Sequence, residues 1–417
     1  MVGRERYDAV IVGGSLAGCT AAILLAREGA RVALVEKQPD PAAFKRMCSH
    51  FIQASAVPTI ERMGLLEPIE AAGGVRPRAR AWTRWGVIET PHGEASLGIN
   101  LRREVLDPLL RRTAGEEPGV EAKLGWTATR LLRDGERFAG AAVVDPDGNE
   151  VELVAPLLVG ADGRDSRVAK LSGIREKVLP HERFAYGGYF AGPKPDSSPD
   201  GTIWMADPQF MAVFPTDGDL NFYAAMPTKD RLPEFKRDPE RALVDFISDF
   251  PDPPPIRESQ LVGDIVGKLE MPNRVRQLTA PGLAMIGDAA LATDPLFGIG
   301  CGWAFQSSEW LADSVGPALT GRGSLERGLK HYRRLHNRHL RGHAFMIHDY
   351  STARRFNPGE RLLFAAAARD RKVSARFDRF ATRQIGPARL LATAVPRSLL
   401  VNARHALAPG MSAGAAR

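Results

Sequence analysis

The chain has 417 residues, 44% hydrophobic and 25% charged, and no apolar run nears the roughly 18 residues that a membrane-spanning helix needs. Cys19, Cys48 and Cys301 are odd in number and far apart, which speaks against a disulfide framework or zinc site and for a reduced, cytoplasmic protein. Net charge is +7, but Gly321–Arg417 alone holds 20 Lys and Arg against 5 Asp and Glu; with no aromatic-interleaved basic patch this argues against nucleic acid and for solvated arginine faces or a peripheral membrane contact.

In chain order, YDAVIVGG (7–14) predicts a buried strand. SLAGCTAAILLAREG (15–29) predicts a helix closed by Gly29 in a left-handed cap, and ARVALVEK (30–37) a second strand. This is a β-α-β crossover. Gly13 makes the tight turn, Gly18 allows close helix packing, and the bare stretch Gly13, Gly14, Ser15, Leu16, Ala17 and Gly18 lets a pyrophosphate reach the helix amides. Ser15 replaces the middle glycine of the usual fingerprint. Glu36, with Lys37 beside it, ends the second strand where an acidic side chain receives ribose hydroxyls.

NLRREVLDPLLRRTAGE (100–116) is an amphipathic helix, and FAGAAVVDPDGNEVELVAPLLVG (138–160) is a hairpin turning at DPDGN followed by a buried strand. From 176 to 276 short alternating segments predict an antiparallel sheet, broken by the helix PERALVDFISDF and the connection PDPPP (251–255). GLAMIGDAA (282–290) returns to buried-strand texture, and beyond Cys301 nearly everything reads as helix, ending in the tail PGMSAGAAR. An antiparallel insert in an α/β sheet marks a second domain grafted on a nucleotide-binding one.

Two later stretches choose the cofactor. LLVGADGRDSRVAKLSG (157–173) is a strand, a turn at Asp162-Gly163 and a helix expected to be capped by Asp165. GLAMIGDAALATDPLFGIGCGWAFQ (282–306) is a strand, Gly287-Asp288, a loop with Pro295, then Gly298, Gly300 and Gly302 opening a helix. With the first turn, these segments resemble the FAD-dependent monooxygenase superfamily of single-component aromatic-hydroxylase type, which also contains flavin halogenases and geranylgeranyl reductases. The resemblance implies an α/β fold: a three-layer, Rossmann-like FAD-binding domain (1–175 and 277–345), a substrate domain (176–276, joined by 76–95) and a C-terminal helical segment (346–417). It implies FAD as cofactor, NAD(P)H as co-substrate, and hydroxylation or epoxidation of a small hydrophobic or aromatic molecule with O2. Reduction of C=C bonds is the alternative; halogenation and a non-enzymatic escort role stand further off.

The same resemblance puts Glu36 on the adenosine ribose. It puts Arg46 and Arg102 on the phosphate and ribityl region, Asp162 in a motif shared by FAD and NAD(P)H, and Asp288 on the ribityl chain. The loop Pro295, Gly298, Gly300 and Cys301 would face the ring, where helix amides stabilise negative charge and glycines 298, 300 and 302 let a flat ring approach. Leu291 stands where many hydroxylases have histidine, and the halogenase run Trp-x-Trp-x-Ile-Pro is missing.

His50 is a candidate acid–base residue, with packing as the plainer role. Cys301, at a helix start, is either a lowered-pKa thiol or a small packing residue. His336, His339 and His343 share one helical face that is expected to be solvated rather than metal-binding. Phe190, Phe214 and Tyr223 are candidate substrate contacts, and equally the core of their sheet.

Overall fold

The computed structural model describes residues 3–89 and 97–407; the tail PGMSAGAAR and part of the 76–95 segment lie outside them. The nucleotide-binding part has three layers. Its middle layer is a six-stranded sheet in the order Thr279–Ala280, Leu283–Met285, Leu157–Gly160, Ala9–Val12, Val32–Glu36, Val120–Leu124. The pairings are parallel except at the 279–285 hairpin. Both faces of this sheet are covered, which is why strands such as AVIV and LLVG are continuously apolar. On one side pack the helices Leu16–Arg27 and Gly300–Leu319. On the other lies a four-stranded sheet whose Phe138, Ala141, Val143 and Leu153 join the same core. Gly29, at φ +96°, closes the first helix.

The second sheet has seven strands, in the order Gln260–Lys268, Ala185–Ala191, Asn221–Met226, Gln209–Pro215, Gly201–Ala206, Ala79–Thr83, Gly86–Ile88. Its side chains alternate strictly. Tyr186, Phe190, Trp204, Met211, Val213 and Tyr223 pack with Phe235, Leu243 and Phe246 of the helices Leu232–Arg237 and Pro239–Ser248. Ile203, Met205, Phe210 and Phe214 turn the opposite way, toward the C-terminal helices.

Those helices are Leu325–Tyr350, Pro358–Ala367, Arg371–Ala381 and Pro387–Leu407. The first crosses the boundary expected at 345/346, because its buried stripe of Leu329, Tyr332, His336, Leu340, His343, Ala344, Ile347 and Tyr350 is unbroken. The expected solvated histidine face is therefore corrected. His336 and His343 are buried, the latter stacked on Phe380 with centroids 4.7 Å apart, whereas His339 is exposed as expected, its ring stacked on Trp310. Among the described residues no helix is long and apolar enough to cross a membrane.

Candidate functional site

At the end of the strand Ala9–Val12 the backbone packs so closely on its neighbours that only glycine fits at two positions. Gly13 has φ +113°, and a Cβ there would sit 2.4 Å from the Ala161 carbonyl oxygen; at Gly18 it would lie 1.7 Å from that of Gly13. Ser15 is the N-cap but makes no side-chain cap bond, so the first-turn amides of Leu16, Ala17 and Gly18 lack helical acceptors. Glu36 stands over the turn, its carboxylate accepting from the Gly14 amide at 2.6 Å and the Gln38 amide at 2.9 Å. Lys37 is exposed beside it.

The helix Arg103–Glu116 brings its own charges to this turn. Arg103, 3% exposed, donates to Ser15 Oγ at 2.8 Å and forms a two-pronged pair with Asp107 at 2.7 and 3.0 Å. Arg111 donates to the carbonyls of Gly14 and Ala43, tying the 39–48 segment across the site. Arg102, expected here, points elsewhere: its guanidinium meets Asp217 at 2.8 Å. Arg102 is the N-cap, in a non-helical conformation, whereas Arg103 is the first helical residue and turns inward. Arg103, Asp107, Leu110 and Ala114 share the helix's buried stripe, a spacing the sequence already displayed.

A similar one-residue offset separates Arg46 from Lys45. Arg46 is an exposed partner of Asp264, at 3.0 Å, while Lys45 Nζ lies 3.3 Å from Asp288. Burial opposes ionisation of Asp288, but Lys45 and Arg164 outweigh it and hold the carboxyl below its usual range. Asp288 in turn raises Lys45. Asp162 is spoken for locally: it accepts from Ser166 Oγ at 2.5 Å and from the Val168 amide at 2.9 Å. Ser166, not Asp165, caps that helix.

The Pro295–Gly302 loop opens the helix Gly300–Leu319, with Gly298 at φ +61°. A Cβ at Gly300 would meet only the Asp288 carboxylate, at 3.8 Å, so this backbone is open to a flat ligand. Gly302 differs from expectation. Its missing Cβ makes room for Arg383, whose Nη2 would lie 2.6 Å away. Cys301 Sγ lies 3.5 Å from Cys48 Sγ, with Arg103 Nη1 within 4.0 Å of both. Accepting the Cys301 hydrogen bond holds the Cys48 thiol well below its ordinary value, while donating it, together with burial, raises Cys301. A lowered pKa thus belongs to Cys48.

His50, at φ +61° and fully buried, joins the two sheets' territories. Its Nδ1 accepts from the Arg103 amide at 3.0 Å, so the proton sits on Nε2, which donates to Tyr189 Oη at 2.5 Å. Burial depresses its pKa to about 4. Sequence reasoning did not find Tyr189; its parity on the strand, opposite to Phe190, was the signal.

Next to the loop lies a cavity of about 780 Å³, lined by Ile203, Met205, Phe297, Ile299, Phe364 and Leu390 among others. Phe214 borders it through Phe51, stacked at 4.7 Å. Phe190 and Tyr223 are on the far face of the sheet, and their expected substrate contact is corrected to a packing role. Among the described residues no cluster of His, Cys, Asp or Glu could hold a metal ion.

The donor set fits FAD. A glycine-rich turn at a helix N-terminus suits a diphosphate, Glu36 a ribose, Asp288 and Lys45 a polyol, and the Gly300 backbone a flat ring.

Residues 6–346 match the FAD binding domain family. The chain is 30% identical over 337 residues to kynurenine 3-monooxygenase of Salinispora arenicola, covering 73% of this chain and 71% of that protein. It is 25% identical over 317 residues to the digeranylgeranylglycerophospholipid reductase of Thermoplasma volcanium, covering 74% and 77%. The structure of the flavin-dependent brominase Bmp2 superposes with a TM-score of 0.79 over 96% of this chain and 99% of that one; at 20% identity the likeness is one of fold.

Proposed function

From the premise that the chain belongs to the FAD binding domain family and is a flavin-dependent oxidoreductase, we propose that it is a monooxygenase. It takes electrons from NAD(P)H and places one oxygen atom of O2 on a hydrophobic or aromatic small molecule, by hydroxylation or epoxidation. The apolar cavity meeting the loop beside Gly298 and Ile299 supports the substrate class, and the 30% identity to kynurenine 3-monooxygenase is the observation that carries oxygenation over reduction. Bound FAD supplies the electron transfer and the activation of O2.

The protein's residues do the rest. The first-turn amides and the Ser15–Arg103 pair hold the diphosphate, Glu36 the adenosine ribose, and Asp288 with Lys45 the ribityl chain. The amide end of the helix at Gly300 faces developing negative charge. Phe297, Ile299, Ile203 and Met205 desolvate the substrate and keep water out. His50 donates an Nε2 hydrogen bond to Tyr189 Oη, which leaves the phenol's own proton free to be donated elsewhere.

Purified protein incubated with NAD(P)H and a panel of lipophilic compounds tests this. Oxygen uptake matched to NAD(P)H oxidation, with a product heavier by one oxygen atom, is expected; product formed under argon overturns it. The second reading, reduction of a C=C bond, is favoured by the reductase relatives and the same apolar lining. It gives a product heavier by two hydrogens, with or without air.

A further inference from the structure

The last helix, Pro387–Leu407, is packed on one side only. Leu390, Ala394 and Ser398 are its buried residues. The opposite face carries Ala392, Pro396, Leu399, Leu400, Ala403 and Leu407, all exposed, with Leu399 at 55% and Leu400 at 47%, and Leu391, 56% exposed, flanks the buried stripe. A helix that turns leucines to both core and solvent is not finished by the fold around it.

Two observations say what finishes it. The first is charge. The segment from Gly321 to Arg417 has a balance of +15. The helix itself carries exposed Arg389 and Arg404, and the helix packed against it exposes Arg371, Lys372 and Arg379. Arg376 and Arg369 reach across to the Thr393 carbonyl and to Asn402. A second copy of the chain would bring the same positive segment against this one, whereas an anionic surface is complementary. The second is continuity. Pro387, Leu391 and Val395 line the cavity, and Leu391 is also more than half exposed, so one helix forms both the cavity wall and the outer apolar face.

We propose that the exposed leucine face of Pro387–Leu407, with Arg389 and Arg404 beside it in a strongly basic segment, docks on an anionic lipid bilayer, and that the cavity takes its lipophilic substrate past this helix. The docking rests on the helix and its charge; only the supply of substrate rests on the monooxygenase reading. Apolar side chains sink into the headgroup–acyl boundary while the basic side chains meet the lipid phosphates. A water-insoluble compound then moves from bilayer to cavity past Leu391 without crossing solvent.

Cosedimentation of the full-length protein with vesicles decides it. Phosphatidylcholine vesicles containing phosphatidylglycerol should bind at least about tenfold more tightly than pure phosphatidylcholine, with the difference shrinking as salt rises. The variant Leu399→Asp/Leu400→Asp, which alters neither cavity nor core, should lose vesicle binding while its melting temperature and its NAD(P)H oxidation with a short, soluble compound stay unchanged. The proposal is overturned if wild type ignores anionic vesicles or if the variant binds them equally. A dimer in gel filtration that the variant splits would assign the face to a second copy instead and equally overturn it. Failure of oxygenation with docking intact would strike only the functional reading.

Discussion

Arg103 is a charge held almost out of water, and Asp107 is what makes that tolerable. Removing one partner of such a pair strands the other. Arg103→Met should therefore cost about 3–5 kcal/mol and strip bound flavin, while Arg102→Met leaves the buried Asp217 still bonded by the residue 102 amide and Thr216 and should cost less, about 1–3 kcal/mol, with flavin left in place. Urea unfolding and flavin per polypeptide measure both. The sequence displayed the helix start and two arginines, but which one turns inward depends on the N-cap dihedrals; the same ambiguity exchanged Lys45 for Arg46. His50 provides a pH test at the same scale. Its pKa is about 4 in the fold, against 6.5 unfolded, so as pH falls the unfolded chain takes up its proton first. Stability is undiminished above 6.5 and is lost between 6.5 and about 4, by about 2 kcal/mol at pH 5. His336, depressed to about 3 by burial, adds a loss of the same sign. Unfolding curves at about pH 7.5 and about pH 5 should differ accordingly, and His50→Gln should flatten part of the slope.

Among the elements, the seven-stranded sheet is where pattern and placement part. Alternation was plain in RFAYGGYFAG, FMAVFPT and LNFYAAM, and each contains a strand. Both faces of the sheet are buried and apolar, however, so hydrophobicity does not mark the one beside the cavity. Phe190 and Tyr223 fell on the wrong side for that reason, and Phe214 on the right one. The strand–turn–helix at 9–27, by contrast, was legible because its glycines meet a steric demand that only glycine satisfies. The parity makes opposite predictions for two substitutions. Phe190→Ala removes a ring from the core against the Pro239–Ser248 helix, costing about 3–5 kcal/mol without changing which compounds stimulate NAD(P)H oxidation. Met205→Trp points into the cavity; it should leave stability within about 1.5 kcal/mol and raise KM several-fold for bulky compounds while sparing small ones. Denaturation curves and a substrate panel on both variants read this out.

At the scale of the whole molecule, the C-terminal helices close the cavity, and one buried side chain ties the end of the helix Arg371–Ala381 to the flavin-binding part. Arg383 follows the helix Arg371–Ala381 and reaches back to bond Gln53, Ser55 Oγ at 2.9 Å and Gln306 Oε1 at 2.9 Å. Gly302 leaves the room it needs. From the sequence, Gly302 belonged with Gly298 and Gly300 in one glycine-rich loop, because nothing local shows that a residue 81 positions onward fills its missing Cβ. The two positions should therefore couple. Gly302→Ala alone forces the guanidinium away from its acceptors and costs about 1–3 kcal/mol, more than the helix gains from alanine. In an Arg383→Met background the obstruction is reduced, and the same substitution should become neutral or stabilising by up to about 1 kcal/mol. A double-mutant cycle by urea unfolding, with limited proteolysis to follow release of the terminal helices, measures the coupling; additive effects would show that Arg383 is not what Gly302 makes room for. Since the cavity is walled on one side by the sheet and on the other by these helices, loosening this contact should also lower coupling between NAD(P)H oxidation and product. Water would reach the ring side of the cavity before any residue that touches the substrate had changed.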